Sequence, residues 1–147
     1  MSTNQNLKTP AWAKERIPGN ILSHLKLIKL QDYSKACYIS FAFFAVRSGV
    51  EIQVYKKAYT HTSDKVITLG LLPGTVICVN DKGYKSRANQ AIVRNMNGSS
   101  SLFSGYSNSF KYSQGKSLQP NGFDMAPSSE CTKGIHFFFS KTHAQRY

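Results

Sequence analysis

Glu130-Cys131-Thr132-Lys133-Gly134-Ile135-His136-Phe137-Phe138-Phe139-Ser140 sets an acid, a thiol and an imidazole around a turn glycine that feeds the most apolar strand candidate of the C-terminal half. Side chains alternate across a strand, so Ile135, Phe137 and Phe139 share one face and His136, Phe138 and Ser140 the other. The first face belongs to a core. The second puts a histidine beside a phenylalanine, which on a half-buried sheet is either a packing position or the wall of a site. Past Ser140, residues 141–146 are expected to close the chain with a helical turn.

Upstream, the same period of two recurs. Residues 36–46, ACYISFAFFAV, carry no charge and fall short of the about 20 positions a membrane helix needs, so they form a buried element. Tyr38, Ser40, Ala42, Phe44 and Val46 lie on one face, and Cys37, Ile39, Phe41, Phe43 and Ala45 on the other. With both faces mostly apolar, this is a central strand or a strand at a subunit interface. Ser48-Gly49 makes a turn, and residues 50–59 alternate again, with Val50, Ile52 and Val54 opposite Tyr55 and Tyr59; a hairpin between the two runs is expected. Residues 65–72 and 75–79 are strands split by Pro73-Gly74. After the turn Asp81-Lys82-Gly83, residues 84–96 form a strand with its core at Ala91-Ile92-Val93. Residues 97–119, rich in Ser, Gly and Asn with Phe103, Tyr106, Phe110 and Tyr112 interspersed, are expected as a loop, inert or recognising, and 120–129 as coil.

Residues 1–20 begin polar and carry Pro10 and Pro18, without the basic and apolar regions of a signal peptide; they are expected as a loose arm. Trp12, in one helical turn over 11–16, docks either on its own domain or on a neighbouring subunit, because its burial offsets the ordering entropy. Asn20 could cap a helix over 21–30, yet Leu25, Leu27, Ile28 and Leu30 also fit strand alternation in part. His24 has no second ligand at i+4 and is expected at the surface or in packing.

With 147 residues, nine Phe and eight Tyr, the chain can build one hydrophobic core without metal or disulfide staples. The expected class is α+β, mainly antiparallel sheet with one or two short helices, the arm over 1–20 and a single domain over 21–147. Cys37, Cys78 and Cys131 are too few and too far apart for a disulfide framework, which points to reduced thiols. Lys and Arg outnumber Asp and Glu 19 to 7, by 7 to 3 up to Gln53 and by 12 to 4 beyond it, so the excess is no local tail. Such charge suits a nucleic acid or another polyanion, or else simply a solubilising surface.

Glu130, Cys131 and His136 are the candidate catalytic group, for a cysteine nucleophile needs a base and an orienting acid. If a strand starts at Lys133, however, the imidazole climbs roughly 10 Å from the thiol, so a buried structural cluster is favoured and no catalytic residue is assigned. Metal-ligand spacing is lacking among Cys37, Cys78, Cys131, His24, His61, His136 and His143, and no phosphate-cradling glycine loop occurs, so neither a metal nor a cofactor is expected. Lys56, Lys57, Lys82, Lys85, Arg87 and Arg94 are the candidate polyanion contacts. Trp12, Tyr38, Phe41 and Phe43 are the candidate self-association contacts.

Tyr55-Lys56-Lys57, Leu72-Pro73-Gly74, Lys85-Ser86-Arg87-Ala88, Ala91-Ile92-Val93, the segment 115–120, and Glu130-Cys131-x-x-Gly134-Ile135-His136-Phe137-Phe138 with Ala144 and Tyr147 recur in one order. That order and spacing resemble a domain of large DNA viruses of amoebae, often found beside ankyrin or pentapeptide repeats. The likeness covers residues 54–147, and Ser86 stands where the family pattern favours Cys. The family has no assigned activity. The resemblance implies a stand-alone viral component, packaged in the virion and present in host cytoplasm or nucleus. The ending from Gly134 to Tyr147 also looks like that of ADP-ribosyltransferase-like folds, whose entry-strand Arg or His finds no match at Tyr55-Lys56. The expected function is therefore a non-enzymatic binding or structural protein that acts as a homodimer and through a basic surface. The alternatives are a nucleic-acid-binding accessory protein and an ADP-ribosyltransferase-like or cysteine-dependent enzyme.

Overall fold

The computed structural model describes residues 8–29, 41–60, 62–99, 102–104, 107–118 and 134–147. Helices α1 (Ala11–Arg16) and α2 (Gly19–Leu22) each start directly after a proline, where a missing N–H costs a helix nothing. Ala13 and Ile17 are buried in the main core and Trp12 packs against it, so this end of the chain is docked on its own domain. Strand β1 (Leu25–Ile28) follows, and the ambiguous stretch after Asn20 thus divides into a short helix and a strand.

The next strands are β2 (Phe41–Val46), β3 (Ile52–Tyr59), β4 (Asp64–Leu71), β5 (Val76–Asn80), β6 (Ser86–Ala88) and β7 (Ala91–Asn95). Then come β8 (Leu102–Ser104), β9 (Ser107–Tyr112), β10 (Ser117–Leu118) and β11 (Ile135–Phe137), and helix α3 (Lys141–Arg146) ends the chain. They form two antiparallel sheets, one ordered β1-β2-β5-β6-β11 and the other β10-β7-β4-β3-β8-β9. Their inner faces share one core, with Phe44, Ile77, Val79 and Phe137 from the first sheet meeting Val54, Ile67, Leu69 and Val93 from the second. The class is α+β and mainly sheet, with three short helices among the described residues. No helix among them is long and apolar enough to cross a membrane.

The expected hairpin between residues 36–46 and 50–59 is not formed. β2 has both edges occupied, by β1 and β5, while β3 pairs along all eight of its residues with β4 in the other sheet. A strand flanked on both sides has no edge left for its successor, so the chain crosses to the opposite sheet through residues 47–51. Two more crossings follow the same logic. Pro73-Gly74 separates β4 from β5, with Gly74 at φ +85°, the left-handed region a type II turn needs at that position. The run over 84–96 splits at residues 89–90 into β6 of one sheet and β7 of the other. These crossings are tied together. Val76 N–H donates to Asn89 Oδ1 at 3.0 Å, and Gln90 Nε2 donates to the hydroxyl of the buried Thr75 at 3.2 Å.

Residues 97–119, expected as a loop, hold β8, β9 and β10. Leu102, Tyr112 and Leu118 are buried in the main core, so the alternation of aromatic and small polar residues there is that of strands.

At the C-terminal end, Ile135, Phe137 and Phe139 face the main core, as their alternation requires. Phe138 belongs to a second cluster with Val66, Ala144 and Tyr55, which holds α3 against the second sheet. The ribbon also joins the sheets. β11 pairs with β6, and one residue further Tyr55 N–H donates to Phe138 O at 2.8 Å and Phe138 N–H to Tyr55 O at 2.7 Å. Phe137 lies at the centre of this arrangement with no exposed surface, edge-on to Phe139 at 5.1 Å. Phe137→Ala is expected to lower unfolding free energy by about 3–5 kcal/mol in denaturant titrations, far more than an exposed substitution such as Lys111→Ala.

Candidate cationic site

Alternation along β3 turns Ile52, Val54 and Ala58 into the core, and Lys56 has the same parity. Its long stem carries the ammonium to β11, where Nζ donates to the His136 carbonyl at 2.9 Å. Burial, with the nearby charge of Lys85 as a lesser cause, lowers the Lys56 pKa from 10.5 to about 8.

Lys85 comes from the turn between β5 and β6. Its Nζ donates to the Tyr147 hydroxyl at 2.6 Å and lies 4.7 Å from that ring's centroid, while Phe138 packs on Tyr147 at 5.3 Å. The neighbouring Tyr84 stacks on His143 of α3 at 3.8 Å, and the Arg16 guanidinium of α1 lies 4.7 Å from the Tyr84 centroid. Arg16 Nη2 also donates to the Asp81 carbonyl at 2.9 Å. With one face of Tyr84 taken by the imidazole, the guanidinium occupies the other. This stack fastens both ends of the chain to the β5–β6 turn, each cation–π contact contributing about 0.5–1 kcal/mol.

The six predicted polyanion contacts do not form one patch. Lys82 and Lys85 lie in the β5–β6 turn and Arg87 on β6, whereas Lys56 points inward. Lys57 faces Asp64 at 3.8 Å, and Arg94 grips Glu51, with Nε donating to Oε2 at 3.0 Å. That second pair lies over Gly70, where a Cβ would come 2.5 Å from Glu51 Oε2, and its hydrogen bond holds the Glu51 carboxyl below the usual carboxylate pKa. Both pairs engage the second sheet, away from the turn.

The candidate catalytic group is not assembled by the described residues. Glu130 and Cys131 lie outside them, and His136 stands across the sheet from Arg87, which in turn faces Cys78. Cys78 and His136 are thus two strand spacings apart, roughly 10 Å, too far for a nucleophile and its base. Arg87 Nε is buried without a hydrogen bond to a described residue. His24 lines a groove of about 450 Å³ with Glu51, Gln53 and Tyr55. Among the described residues no three His, Cys, Asp or Glu side chains converge.

Of the residues expected to mediate self-association, Tyr38 also lies outside the described set. Trp12 packs on its own core, Phe43 has no exposed surface and Phe41 is half-buried. Sequence reasoning missed Arg16, Tyr84, His143 and Tyr147. The local signal was Tyr84-Lys85 just after the turn glycine Gly83; nothing local could bring α1 and α3 to it.

A family model described as a family of unknown function (DUF5758) matches residues 42–144, from within β2 into α3. No curated protein and no solved structure matches the chain.

The buried amine has a measurable consequence. Between pH 8 and 10.5 the unfolded chain keeps a proton on Lys56 that the folded chain has shed, so folding is penalised most below pH 8 and the penalty fades as pH rises. Lys56→Met is expected to raise the stability at pH 7 by about 1–3 kcal/mol and to remove the Lys56 share of the rise between pH 8 and 10.5, as read by urea titration across that range. An unchanged pH profile in the variant would place the amine in water.

Proposed function

This chain belongs to DUF5758, a family of unknown function, and from that premise we propose that it is a non-enzymatic binding protein that engages a polyanion, nucleic acid foremost. The interface is the corner where α1, the β5–β6 turn and α3 meet. One observation carries the reading: Arg16, Lys82, Lys85, Lys141 and Arg146 belong to the three elements that meet through the Arg16–Tyr84–His143 stack, while both ion pairs among the described residues lie elsewhere. Cations without carboxylate partners hold a counterion atmosphere, and a polyanion that displaces it gains affinity whatever its sequence. Tyr84 and Tyr147, exposed by 42% and 48%, add amphipathic surface between the charges.

Self-association has less to work with, since Phe43 is buried inside the chain and Trp12 packs partly on its own core. The resemblance to a domain of large DNA viruses would make the partner a packaged genome and the protein a virion component.

Fluorescence anisotropy with a labelled oligonucleotide tests the reading. Binding is expected at low salt and should weaken by one to several orders of magnitude between about 50 and 200 mM salt. Lys82→Glu with Lys141→Glu should weaken it about tenfold or more, while Lys111→Glu, at an exposed position of β9, should change it little. No binding at low salt, or binding indifferent to the corner variants, overturns the proposal.

A further inference from the structure

The groove of about 450 Å³ lined by His24, Glu51, Gln53 and Tyr55 also takes in Pro18 and Phe139, and its size is that of a small-molecule cleft. Among the described residues no lysine or arginine lines it, and its carboxylate, Glu51, is matched by two hydrogen bonds from Arg94. An anion therefore finds no counter-charge there, in a chain of net charge +12. What the groove offers is neutral. Gln53 Nε2 donates to the Tyr55 hydroxyl oxygen at 3.2 Å, and neither the Gln53 amide oxygen, the Tyr55 O–H nor the His24 imidazole bonds a described residue. Donors and acceptors of this kind, beside the aromatic surface of Tyr55 and Phe139, are what the edge and face of an unpaired nucleobase require.

The groove adjoins the cationic corner by three routes. Pro18 is two residues from Arg16, and Phe139 is two from Lys141, so each pair of Cα atoms is at most roughly 7 Å apart. Tyr55 bonds Phe138 backbone to backbone, and the Phe138 ring packs on Tyr147 at 5.3 Å. We propose that the groove receives one unpaired base of a single-stranded nucleic acid whose phosphates lie on the corner cations. Gln53, Tyr55 and His24 bond the base edge, and the corner holds the backbone on either side.

Such a groove separates nucleic acids by strandedness. A duplex keeps its bases paired and stacked, and extracting one costs free energy that a single strand has not to pay. The groove also differs from the corner in its response to salt. Phosphate contacts release counterions and weaken as salt rises, whereas hydrogen bonds to a base edge and contact with its face release none. The preference for single strands therefore outlasts the fall in overall affinity.

This inference rests on the polyanion reading for the phosphates but not for the base, and two measurements on the full chain keep them apart. In the first, adenosine, cytidine and uridine are titrated with NMR detection, with ribose as control. Saturable shifts of the Gln53 side-chain amide and the His24 ring are expected with at least one nucleoside and not with ribose. In the second, anisotropy compares a single-stranded oligonucleotide with its duplex at about 50 and 200 mM salt. The single strand should bind about tenfold tighter, and Gln53→Ala and Tyr55→Phe should each cut that preference about three- to tenfold, by the same factor at both salts. Gln53 is exposed and Tyr55→Phe keeps the ring, so both variants are expected to fold. Nucleoside shifts without oligonucleotide binding keep the groove and remove the polyanion function. Oligonucleotide binding that is blind to strandedness, or a preference unchanged in both variants, overturns the groove and leaves the polyanion reading standing. Silence towards every nucleoside, or equal shifts with ribose, also overturns the groove.

Discussion

Two backbone hydrogen bonds between Tyr55 and Phe138 make one molecule of two sheets at the C-terminal ribbon. β11 is a strand of the first sheet by its pairing with β6, and the residue after it turns its other edge to β3 of the second. β3 pairs with β8 at Tyr59 alone, so much of that edge would otherwise lie open. An open edge is a row of unsatisfied amides and carbonyls, and the ribbon satisfies it with the chain's own backbone. Everything in the site hangs from this closure. It presents the His136 carbonyl to Lys56, turns Phe138 beneath Tyr147 and positions α3 where His143 meets Tyr84.

Placing Lys56 on a core-facing position of β3 is a local error by the rules of strand patterning, and local errors in an otherwise consistent chain are where function concentrates. Ile52, Val54 and Ala58 obey the pattern around it and are fully buried. The cost of desolvating the amine is visible in its depressed pKa, and neither of the described ion pairs relieves it. Lys57 and Arg94, by contrast, meet carboxylates on the second sheet and are spoken for.

Three short crossings between the sheets explain why hairpin logic fails here. Val46, Leu71 and Ala88 each end a strand whose successor lies in the opposite layer. Asn89, Gln90 and Thr75 then bind one crossing to the next across the first sheet. A short turn between two alternating segments reads the same in sequence whether the chain folds back beside itself or steps across a sandwich. The choice rests with which strand edges are still vacant, and vacancy is a property of the assembled sheet.

By itself the sequence determined what period and composition can carry. These are the sheet-rich α+β class, the core face of Ile135, Phe137 and Phe139, the short helix after Pro10, the turns at Pro73-Gly74 and at Asp81-Lys82-Gly83, and the excess of positive charge. Each is a local or summed property, legible from alternation over a few residues or from a count. Tertiary structure alone decided that β2 and β3 part company, that β8, β9 and β10 lie within residues 97–119, that Lys56 faces inward, and that Arg16, His143 and Tyr147 gather at Tyr84 and Lys85 of the β5–β6 turn. Those outcomes depend on contacts between segments far apart in the chain, and the identity of a residue says nothing of which distant edge, ring or carbonyl will be left for it.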